Sequence, residues 1–263
     1  MKELNIIILA AGLGKRMNSS LPKVLHSLAG KPLLSHVLDT ANGLLPHKIC
    51  VVYGHGNDAV REAIGKKELV WVKQEPQLGT GHALMQALPH LDKKGLTLVL
   101  YGDVPLISLE TLQKLISASS KENLALLTVR LDDPTGYGRI VRDNKANNII
   151  AIVEDKDINI DQQKIKEINT GIMVIPNANL HEWLPKLENK NSQKEYYLTD
   201  IVALAAKAGK KIEAAHPSNN WEVLGVNSKV QLAALERAHQ KNYAEKLLEQ
   251  GITLIDPSRI DVR

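Results

Sequence analysis

Short, nearly continuous apolar segments recur through the 263-residue chain, and segments with a helical spacing of apolar residues separate them. A strand that is apolar on both faces is typical of a sheet covered by helices on both sides. The predicted strands are residues 5–11, 48–53, 69–72, 96–101, 124–129 and 169–175, and the predicted helices are residues 33–44, 58–64, 82–88 and 109–117. This alternation predicts an α/β fold with a mostly parallel sheet and right-handed crossovers.

The alternation stops after residue 130. A turn-rich stretch, residues 133–138, is followed by two short apolar segments, residues 139–142 and 148–153, which predict a hairpin and a small antiparallel addition to the sheet. From Ser228 to Gln250 the apolar residues fit helical spacing, with Asn227 as the expected N-cap and Gly251 just beyond the end. One long C-terminal helix is therefore predicted.

Composition excludes several classes of protein. Lys and Arg exceed Asp and Glu by only four, and aromatic residues make up 3% of the chain, so the stacking platforms of nucleic-acid-binding proteins are poorly supplied. The single cysteine, Cys50, rules out an intramolecular disulfide and a Cys-based zinc site. No stretch approaches the ~18 apolar residues of a membrane span, and no signal peptide is recognisable. We expect a cytoplasmic protein that binds small anionic ligands and neither nucleic acid nor membrane.

The first predicted strand leads into a glycine-rich loop. Gly12 and Gly14 let the backbone approach phosphate oxygens closely, and Lys15 and Arg16 add positive charge. The dinucleotide-binding fingerprint is not satisfied, because Met17 stands where its third glycine would be, and the P-loop pattern is also absent. From these residues alone, a structural strand-to-helix turn remains an alternative to a phosphate-binding loop.

Further motifs follow in a fixed order. They are residues 21–25, 74–83, 101–106, 132–139, 167–171, 195–200 and 225–227. Together with residues 9–17 they resemble the uridyltransferase (pyrophosphorylase) domain of the bacterial bifunctional N-acetylglucosamine-1-phosphate uridyltransferase and glucosamine-1-phosphate acetyltransferase family, over essentially the whole chain. The resemblance implies the nucleotide-diphospho-sugar transferase fold, a Rossmann-like, mostly parallel mixed sheet.

The resemblance also implies an activity. UTP and N-acetylglucosamine-1-phosphate would be the substrates, UDP-N-acetylglucosamine and pyrophosphate the products, and Mg²⁺ the cofactor, with the product feeding bacterial cell-wall and lipopolysaccharide synthesis. No general base is needed, because a phosphate monoester already carries a charge of about −1.5 to −2 at pH 7. Catalysis would then consist of positioning and charge neutralisation.

Residue roles follow from the same resemblance. The expected catalytic residues are Arg16, Lys23 and Asp103, and the expected Mg²⁺ ligands are Asp103 and Asn227. The expected nucleotide-binding residues are Leu9, Ala10, Ala11, Gly12, Gly14, Lys23, Gln74, Gln77, Gly79 and Thr80. The expected sugar-binding residues are Tyr101, Gly102, Asp103, Gly138, Glu154, Asn169 and Asn227.

Without the resemblance, simpler interpretations remain open for several of these residues. Asp103 could cap a turn ahead of Pro105, and Asn227 could be a helix N-cap and nothing more. Gln74 could lie in an ordinary polar loop, and Glu154 could belong to a solvated charged run, residues 154–157.

The resemblance implies a division of the chain. Residues 1–229 would form the nucleotidyltransferase domain, residues 230–250 a linker helix, and residues 251–263 the start of a left-handed β-helix acetyltransferase domain whose hexapeptide repeats do not follow. Acetyl transfer is accordingly not expected of this chain. A trimer is expected only with that missing half, and the chain itself is expected to be monomeric.

Two other functions stay open. The chain could be a nucleotidyltransferase of the same fold that uses another nucleotide or sugar phosphate, or a catalytically inactive subunit that binds nucleotide sugars. The joint presence of Arg16, Lys23, Asp103 and Asn227 favours an enzyme, because a sensor need not keep both metal ligands.

Overall fold

The computed structural model describes residues 3–54, 58–120, 122–143 and 145–263. The strands are β1 (Leu4–Ala10), β2 (Ser27–Leu28), β3 (Lys31–Pro32), β4 (Lys48–Gly54), β5 (Val70–Gln74), β6 (Leu96–Tyr101), β7 (Leu124–Arg130), β8 (Arg139–Arg142), β9 (Ile149–Val153), β10 (Glu167–Pro176) and β11 (Ile212–Ala215). The helices are α1 (Leu33–Gly43), α2 (Asp58–Ile64), α3 (Thr80–Ala87), α4 (Leu109–Ala118), α5 (Asn177–Trp183), α6 (Asp200–Lys207) and α7 (Lys229–Glu249). Every strand and helix predicted from the sequence is present.

The main sheet has the strand order β11-β7-β10-β6-β1-β4-β5. Strands β6, β1, β4 and β5 are parallel neighbours, and β11 is parallel to β7. Strand β10 runs antiparallel to both β6 and β7, between which it lies. The prediction of a mostly parallel α/β sheet is confirmed, and the sheet is mixed because β10 in its centre and β9 at its margin run in the opposite direction.

Helices cover both faces of the sheet, as the doubly apolar strands predict. In β1, Ile6 and Ile8 face the core formed with α1, α2 and α4, whereas Ile7 and Leu9 face the core formed with α3, α5 and α6. Ile6, Ile7 and Ile8 have no exposed surface. Burying each such side chain contributes about 1.5–3 kcal/mol to folding, so this strand is fixed from both sides.

The predicted hairpin is also confirmed. Strands β8 and β9 pair antiparallel, and β8 joins the main sheet where Arg139 pairs with Ile168 of β10. At the tip, the Asp143 carboxylate accepts hydrogen bonds from the backbone N–H groups of Lys145 and Ala146. Asn144, at the predicted turn, lies outside the described residues. The hairpin brings Gly138 and Glu154, at its two ends, beside β10.

The predicted long C-terminal helix is α7, but its N-cap differs from the prediction. Ser228 caps it, since its hydroxyl accepts from the backbone N–H of Gln231 at 3.2 Å. The expected cap, Asn227, was wrong by one residue, and its side chain bonds elsewhere, as described below. Helix α3 likewise begins at Thr80 and not at His82.

Helix α7 contacts the small β2–β3 sheet and buries few of its apolar residues. The Glu236 carboxylate accepts from the backbone N–H of Ala29 at 2.7 Å, and Gln240 makes two hydrogen bonds with the backbone of Val262, so the C-terminal segment folds back along the helix. Val230 is 80% exposed and Tyr243 40%. No helix in the described part of the chain is long and apolar enough to cross a membrane.

Glu222 ties helix α4 to the segment that precedes α7. Its carboxylate is 1% exposed and accepts hydrogen bonds from the Ser108 hydroxyl (2.6 Å), the Thr111 hydroxyl (2.7 Å) and the backbone N–H of Asn219 (3.0 Å). Ser108 is the N-cap of α4, so the carboxylate also lies near the positive end of the helix dipole.

We predict that Glu222→Ala lowers the free energy of unfolding by roughly 2–4 kcal/mol, because three donors lose their buried acceptor at once. Urea denaturation of the variant beside wild type measures the change. Glu245→Ala, at an exposed position on α7, serves as the control and should stay within about 0.5 kcal/mol. Equal effects of the two substitutions would contradict this interpretation of Glu222.

Candidate active site

The carboxyl ends of β1, β4, β5 and β6 meet at one edge of the sheet, where open α/β sheets bind ligands. A cleft of about 390 Å³ opens there. It is lined by Leu9, Ala10, Ala11, Gly12, Leu13, Lys23, Val24, Gln74, Gln77, Gly79, Thr80, Ala83, Tyr101, Asp103 and Glu195. Most of the predicted nucleotide-binding residues therefore lie around one space, together with Tyr101 and Asp103 from the predicted sugar group.

The glycine-rich loop packs directly on Lys23. Gly14 has φ +62°, and a Cβ at this position would lie 2.7 Å from the Lys23 Cβ, so both conformation and space require glycine. Lys23 begins a short 3₁₀ turn after Pro22. The loop thus holds the stem of Lys23 in place and leaves its ammonium group at the cleft.

Three chain segments that are distant in sequence meet at the Lys23 ammonium group. It donates hydrogen bonds to the Asp103 carboxylate and, at 3.0 Å, to Asn227 Oδ1. The side chains of Lys23 and Asp103 are only 12% and 14% exposed. The backbone N–H of Val226 donates to the carbonyl oxygen of Asp103 at 2.9 Å, which keeps the segment before α7 against the end of β6. The structure therefore brings the two predicted Mg²⁺ ligands together around one cation.

This donor set fits Mg²⁺. A carboxylate and an amide oxygen are hard ligands, and Mg²⁺ in nucleotide sites is held by one or two carboxylates while phosphates and water supply the remaining ligands. Within the described residues, no group of three or more His, Cys, Asp or Glu side chains is placed to hold a metal ion. Asp103 and Asn227 are thus the candidate ligand pair.

Arg16 lies apart from this cluster. It is exposed on the 3₁₀ turn Lys15–Met17, does not line the cleft, and has no hydrogen bond or ion pair with any described residue. An exposed guanidinium that has no partner among the described residues can bind an anion. Arg16 could therefore contact a phosphate of a bound ligand, but it is not part of the cluster around Lys23.

Gln74 and Gln77 border the other side of the cleft. The Gln74 amide donates to the carbonyl oxygen of Gly79 at 3.0 Å and lies 3.2 Å from His82 Nδ1. The Gln77 amide donates to the carbonyl oxygen of Ala11, crossing the end of β4. A Cβ at Gly54 would lie 2.0 Å from Gln77 Nε2, so a glycine at the end of β4 makes this crossing possible.

The loop between β5 and α3 is anchored by residues 195–198. The backbone N–H of Gly81 donates to the carbonyl oxygen of Tyr196 at 2.8 Å, and the Thr80 hydroxyl accepts from the backbone N–H of Leu198 at 3.1 Å. Gly79 has φ +101°, and a Cβ there would lie 2.7 Å from the Tyr196 carbonyl oxygen. Thr80 and Gly79 therefore shape the cleft wall through backbone contacts.

A bulge in β10 seats the ring of Tyr101. The register between β10 and β7 shifts between Asn169 and Met173, and Gly171 within that stretch has φ +85°. A Cβ at Gly171 would lie 2.5 Å from Tyr101 Cε2. Burial and, secondly, the carboxylates of Glu154 and Asp103 raise the pKa of the Tyr101 hydroxyl, which therefore stays protonated at pH 7.

Gly138 and Asn169 are neighbours beside this ring. The backbone N–H of Asn169 donates to the carbonyl oxygen of Gly138 at 2.8 Å. Asn169 is 8% exposed, and its buried Oδ1 has no hydrogen-bond partner among the described residues. A buried acceptor without a donor costs about 1–3 kcal/mol, so a polar group that donates to this atom would be bound favourably.

Glu154 does not line the first cleft. It lies in a neighbouring cavity of about 330 Å³ with Asp157, Tyr197 and Asp200, and it accepts from the Thr199 hydroxyl at 2.8 Å. Burial and the nearby acidic side chains, Asp200 foremost, raise its pKa despite that hydrogen bond. Gly102 is also outside the cleft, because a Cβ there would point into the packing of Ala10, Val24 and Leu34.

Sequence reasoning missed several residues of the site. Leu13 and Glu195 line the cleft, and His82 contacts Gln74 from behind. Glu195 belongs to a motif that was recognised without a role, while Leu13 lay between the two loop glycines. His82 lies in the motif of residues 74–83 but was given no role, because its contact with Gln74 depends on how α3 begins.

Comparisons with known proteins identify the family to which the chain belongs. The model of the family described as the MobA-like NTP transferase domain matches residues 6–254. The chain is 64% identical to the "Bifunctional protein GlmU" of Nitrosospira multiformis over 263 residues, and 60% identical to the protein of that name from Nitrosomonas europaea over 264 residues. Both alignments cover the whole chain, which spans only 57% and 58% of the two relatives.

Solved structures show the same fold at low sequence identity. A UDP-glucose pyrophosphorylase complexed with UDP-glucose matches with a TM-score of 0.74 at 17% identity, covering 92% of this chain and 100% of that one. The inositol-1-phosphate CTP transferase from T. maritima matches with a TM-score of 0.62 at 18% identity, covering 89% and 96%. At these identities the likeness concerns the fold.

We predict that Gly171→Ala lowers the free energy of unfolding by more than Gly136→Ala. Both glycines have φ +85°, so both variants carry the backbone strain of about 1 kcal/mol, but a Cβ at 136 meets nothing within 4 Å whereas a Cβ at 171 overlaps the Tyr101 ring. Urea denaturation of the two variants measures the difference, expected to be about 1–3 kcal/mol. Equal losses of stability would show that Gly171 does not seat Tyr101.

Proposed function

Because the chain belongs to the family of MobA-like NTP transferase domains, we propose that it transfers the uridylyl group of UTP to N-acetylglucosamine-1-phosphate, giving UDP-N-acetylglucosamine and pyrophosphate. The observation that carries the proposal is the cluster of Lys23, Asp103 and Asn227 beside the glycine-rich loop, in the cleft that also contains Gln74. The relatives at 59–64% identity support it, although the chain spans little more than half of their length.

The reaction needs no proton to be removed. A phosphate oxygen of the sugar phosphate, already ionised at neutral pH, forms a bond to the α-phosphorus of UTP, and the bond from that phosphorus to the bridging oxygen of the β-phosphate breaks. The electron pair of the broken bond leaves with pyrophosphate. What the protein must supply is alignment of the two phosphates and neutralisation of their charge.

Asp103 and Asn227 would hold Mg²⁺, which when bound supplies positive charge to the phosphate oxygens. Lys23 then contributes its own charge to the triphosphate, and the Gly14 loop directs the ammonium group there by packing on its stem. Arg16, exposed on the turn that follows the glycine-rich loop and without a partner among the described residues, would bind the departing phosphates.

The sugar would lie between Tyr101 and the β8–β9 hairpin. Tyr101 keeps its proton and can donate or accept a hydrogen bond, Asn169 Oδ1 can accept one from a hydroxyl or amide N–H of the sugar, and Glu154 accepts at the boundary of the second cavity. The unpaired Asn169 oxygen is the strongest support for a polar ligand here, because ligand binding would satisfy it.

The domain division extends the proposal. Residues 1–229 would carry the transfer reaction, residues 230–250 would form the linker helix, and residues 251–263 would lead into an acetyltransferase half, on which a trimer would depend. The chain alone would be a monomer. Sedimentation of the purified chain tests this, and a trimer of the chain itself would contradict it.

We predict that Asp103→Ala lowers the rate of pyrophosphate release about 10²–10³-fold, because the variant loses one of two metal ligands and leaves Lys23 without its carboxylate. The assay contains Mg²⁺, UTP and N-acetylglucosamine-1-phosphate, with CTP, GTP, ATP and glucose-1-phosphate as alternative substrates. Asp132→Ala, at an exposed position, should keep wild-type activity.

The wild-type enzyme in this assay separates the competing functions. Release confined to UTP with the N-acetylated sugar supports the proposal. Pyrophosphate release with another pair of substrates would support the mechanism but contradict the proposed substrates. No release with any pair would favour a nucleotide-sugar-binding subunit without activity.

We also predict that Arg16→Ala lowers kcat about 10- to 100-fold and leaves the melting temperature within about 1 °C of wild type, since the side chain has no partner among the described residues. Arg61→Ala, at an exposed position on α2, should change neither quantity. An unchanged kcat in Arg16→Ala would remove Arg16 from the mechanism.

A further inference from the structure

The orientation of the Gln74 amide is fixed by the carbonyl oxygen of Gly79, which can only accept a hydrogen bond. Gln74 is 3% exposed, and its Nε2 lies 3.0 Å from the carbonyl oxygen of Gly79. A backbone carbonyl is an acceptor, so the atom facing it must be the amide nitrogen. The second N–H of that nitrogen is directed at His82 Nδ1, 3.2 Å away. Both donors are therefore used, and Oε1 has no hydrogen-bond partner among the described residues.

This arrangement determines the protonation of His82. Nδ1 can accept from Gln74 only if it carries no proton, so the proton of the neutral ring lies on Nε2. Gln86 Nε2 lies 3.2 Å from His82 Nε2. Only an oxygen can accept from a protonated Nε2, so this tautomer requires the Gln86 amide to be turned with its oxygen toward the ring. Burial lowers the pKa of His82, which keeps the ring neutral at pH 7.

We propose that His82 is a positioning residue that selects the base: by accepting from Gln74, it leaves Gln74 Oε1 facing the cleft as an acceptor. The imide N–H of uracil is the matching donor. Cytosine has an unprotonated ring nitrogen at the same place, so two acceptors would meet, and a site built to receive a hydrogen bond rejects such an analogue strongly. The inference rests on the proposed use of UTP.

The fold itself does not make this selection. The inositol-1-phosphate CTP transferase from T. maritima has the same fold, as does the UDP-glucose pyrophosphorylase. Selection must therefore come from side chains at the base, and an amide is a poor selector unless something fixes which end faces the ligand. Without His82, the Gln74 amide keeps only the Gly79 contact, so the free-energy preference for the observed orientation falls by about one hydrogen bond.

Three variants separate positioning from packing. His82→Leu removes the acceptor and keeps an apolar side chain beside Tyr196, whose ring lies 6.3 Å from that of His82. His82→Asn keeps an oxygen that can accept near the position of Nδ1. His181→Leu is the matched control, because His181, like His82, is half-buried and hydrogen-bonded. Its partner is the backbone carbonyl of Leu91, and it lies outside the cleft.

The readout is the ratio of kcat/KM for UTP to kcat/KM for CTP with the same sugar phosphate. His82→Leu should lower the ratio on the order of 10-fold, which corresponds to about one hydrogen bond. His82→Asn should restore it to within about threefold of wild type, and His181→Leu should leave it unchanged. In a Gln74→Ala background, His82→Leu should have no further effect on the ratio, because His82 acts through Gln74.

An unchanged ratio in His82→Leu, or an equal effect of this substitution with and without Gln74, overturns the inference. ¹⁵N NMR of the His82 ring in the free protein gives an answer that does not depend on activity: a proton on Nε2 supports the inference, and a proton on Nδ1 overturns it. If the wild-type enzyme prefers a nucleotide other than UTP, the proposed function fails, and the NMR result still decides how His82 holds Gln74.

Discussion

The contact of the Lys23 ammonium group with Asp103 and Asn227 joins parts of the chain that are far apart in sequence. Lys23 follows the loop after β1, Asp103 follows β6, and Asn227 precedes α7. The side chains are largely withdrawn from water, so their charges interact more strongly than on an open surface. The site is therefore complete only when the C-terminal helix has docked. This one contact depends on the glycines of the loop, the order of the strands and the position of α7.

Much of the fold could be predicted because β-strands buried on both faces have an unmistakable composition. Strands β1, β4 and β6 have apolar residues at most of their positions, and each was predicted from the sequence. The direction of β10 could not be predicted, because a strand covered on both faces has the same composition in either direction. Helices α5 and α6 and strand β11 were missed; they have seven, eight and four residues.

The family resemblance named residues 9–12, Gln74, Gln77, Tyr101 and Asp103 as site residues, and all of them line the cleft. Asn227 was named as a metal ligand from the resemblance and as the cap of α7 from its place in the chain. The cap falls on Ser228, and the Asn227 side chain accepts from Lys23. The contact of His82 with Gln74 depends on α3 beginning at Thr80, two residues before the predicted start.

A crystal structure of the chain with UTP and Mg²⁺ would test the account most directly. The account expects the ion to be bound by Asp103 and Asn227, with the Lys23 ammonium moved from these two oxygens to the phosphates and the uracil imide N–H on Gln74 Oε1. A structure in which nucleotide is bound while Lys23 stays bonded to Asp103 and Asn227, with the ion elsewhere, would contradict the central claim that this cluster is the metal and phosphate site.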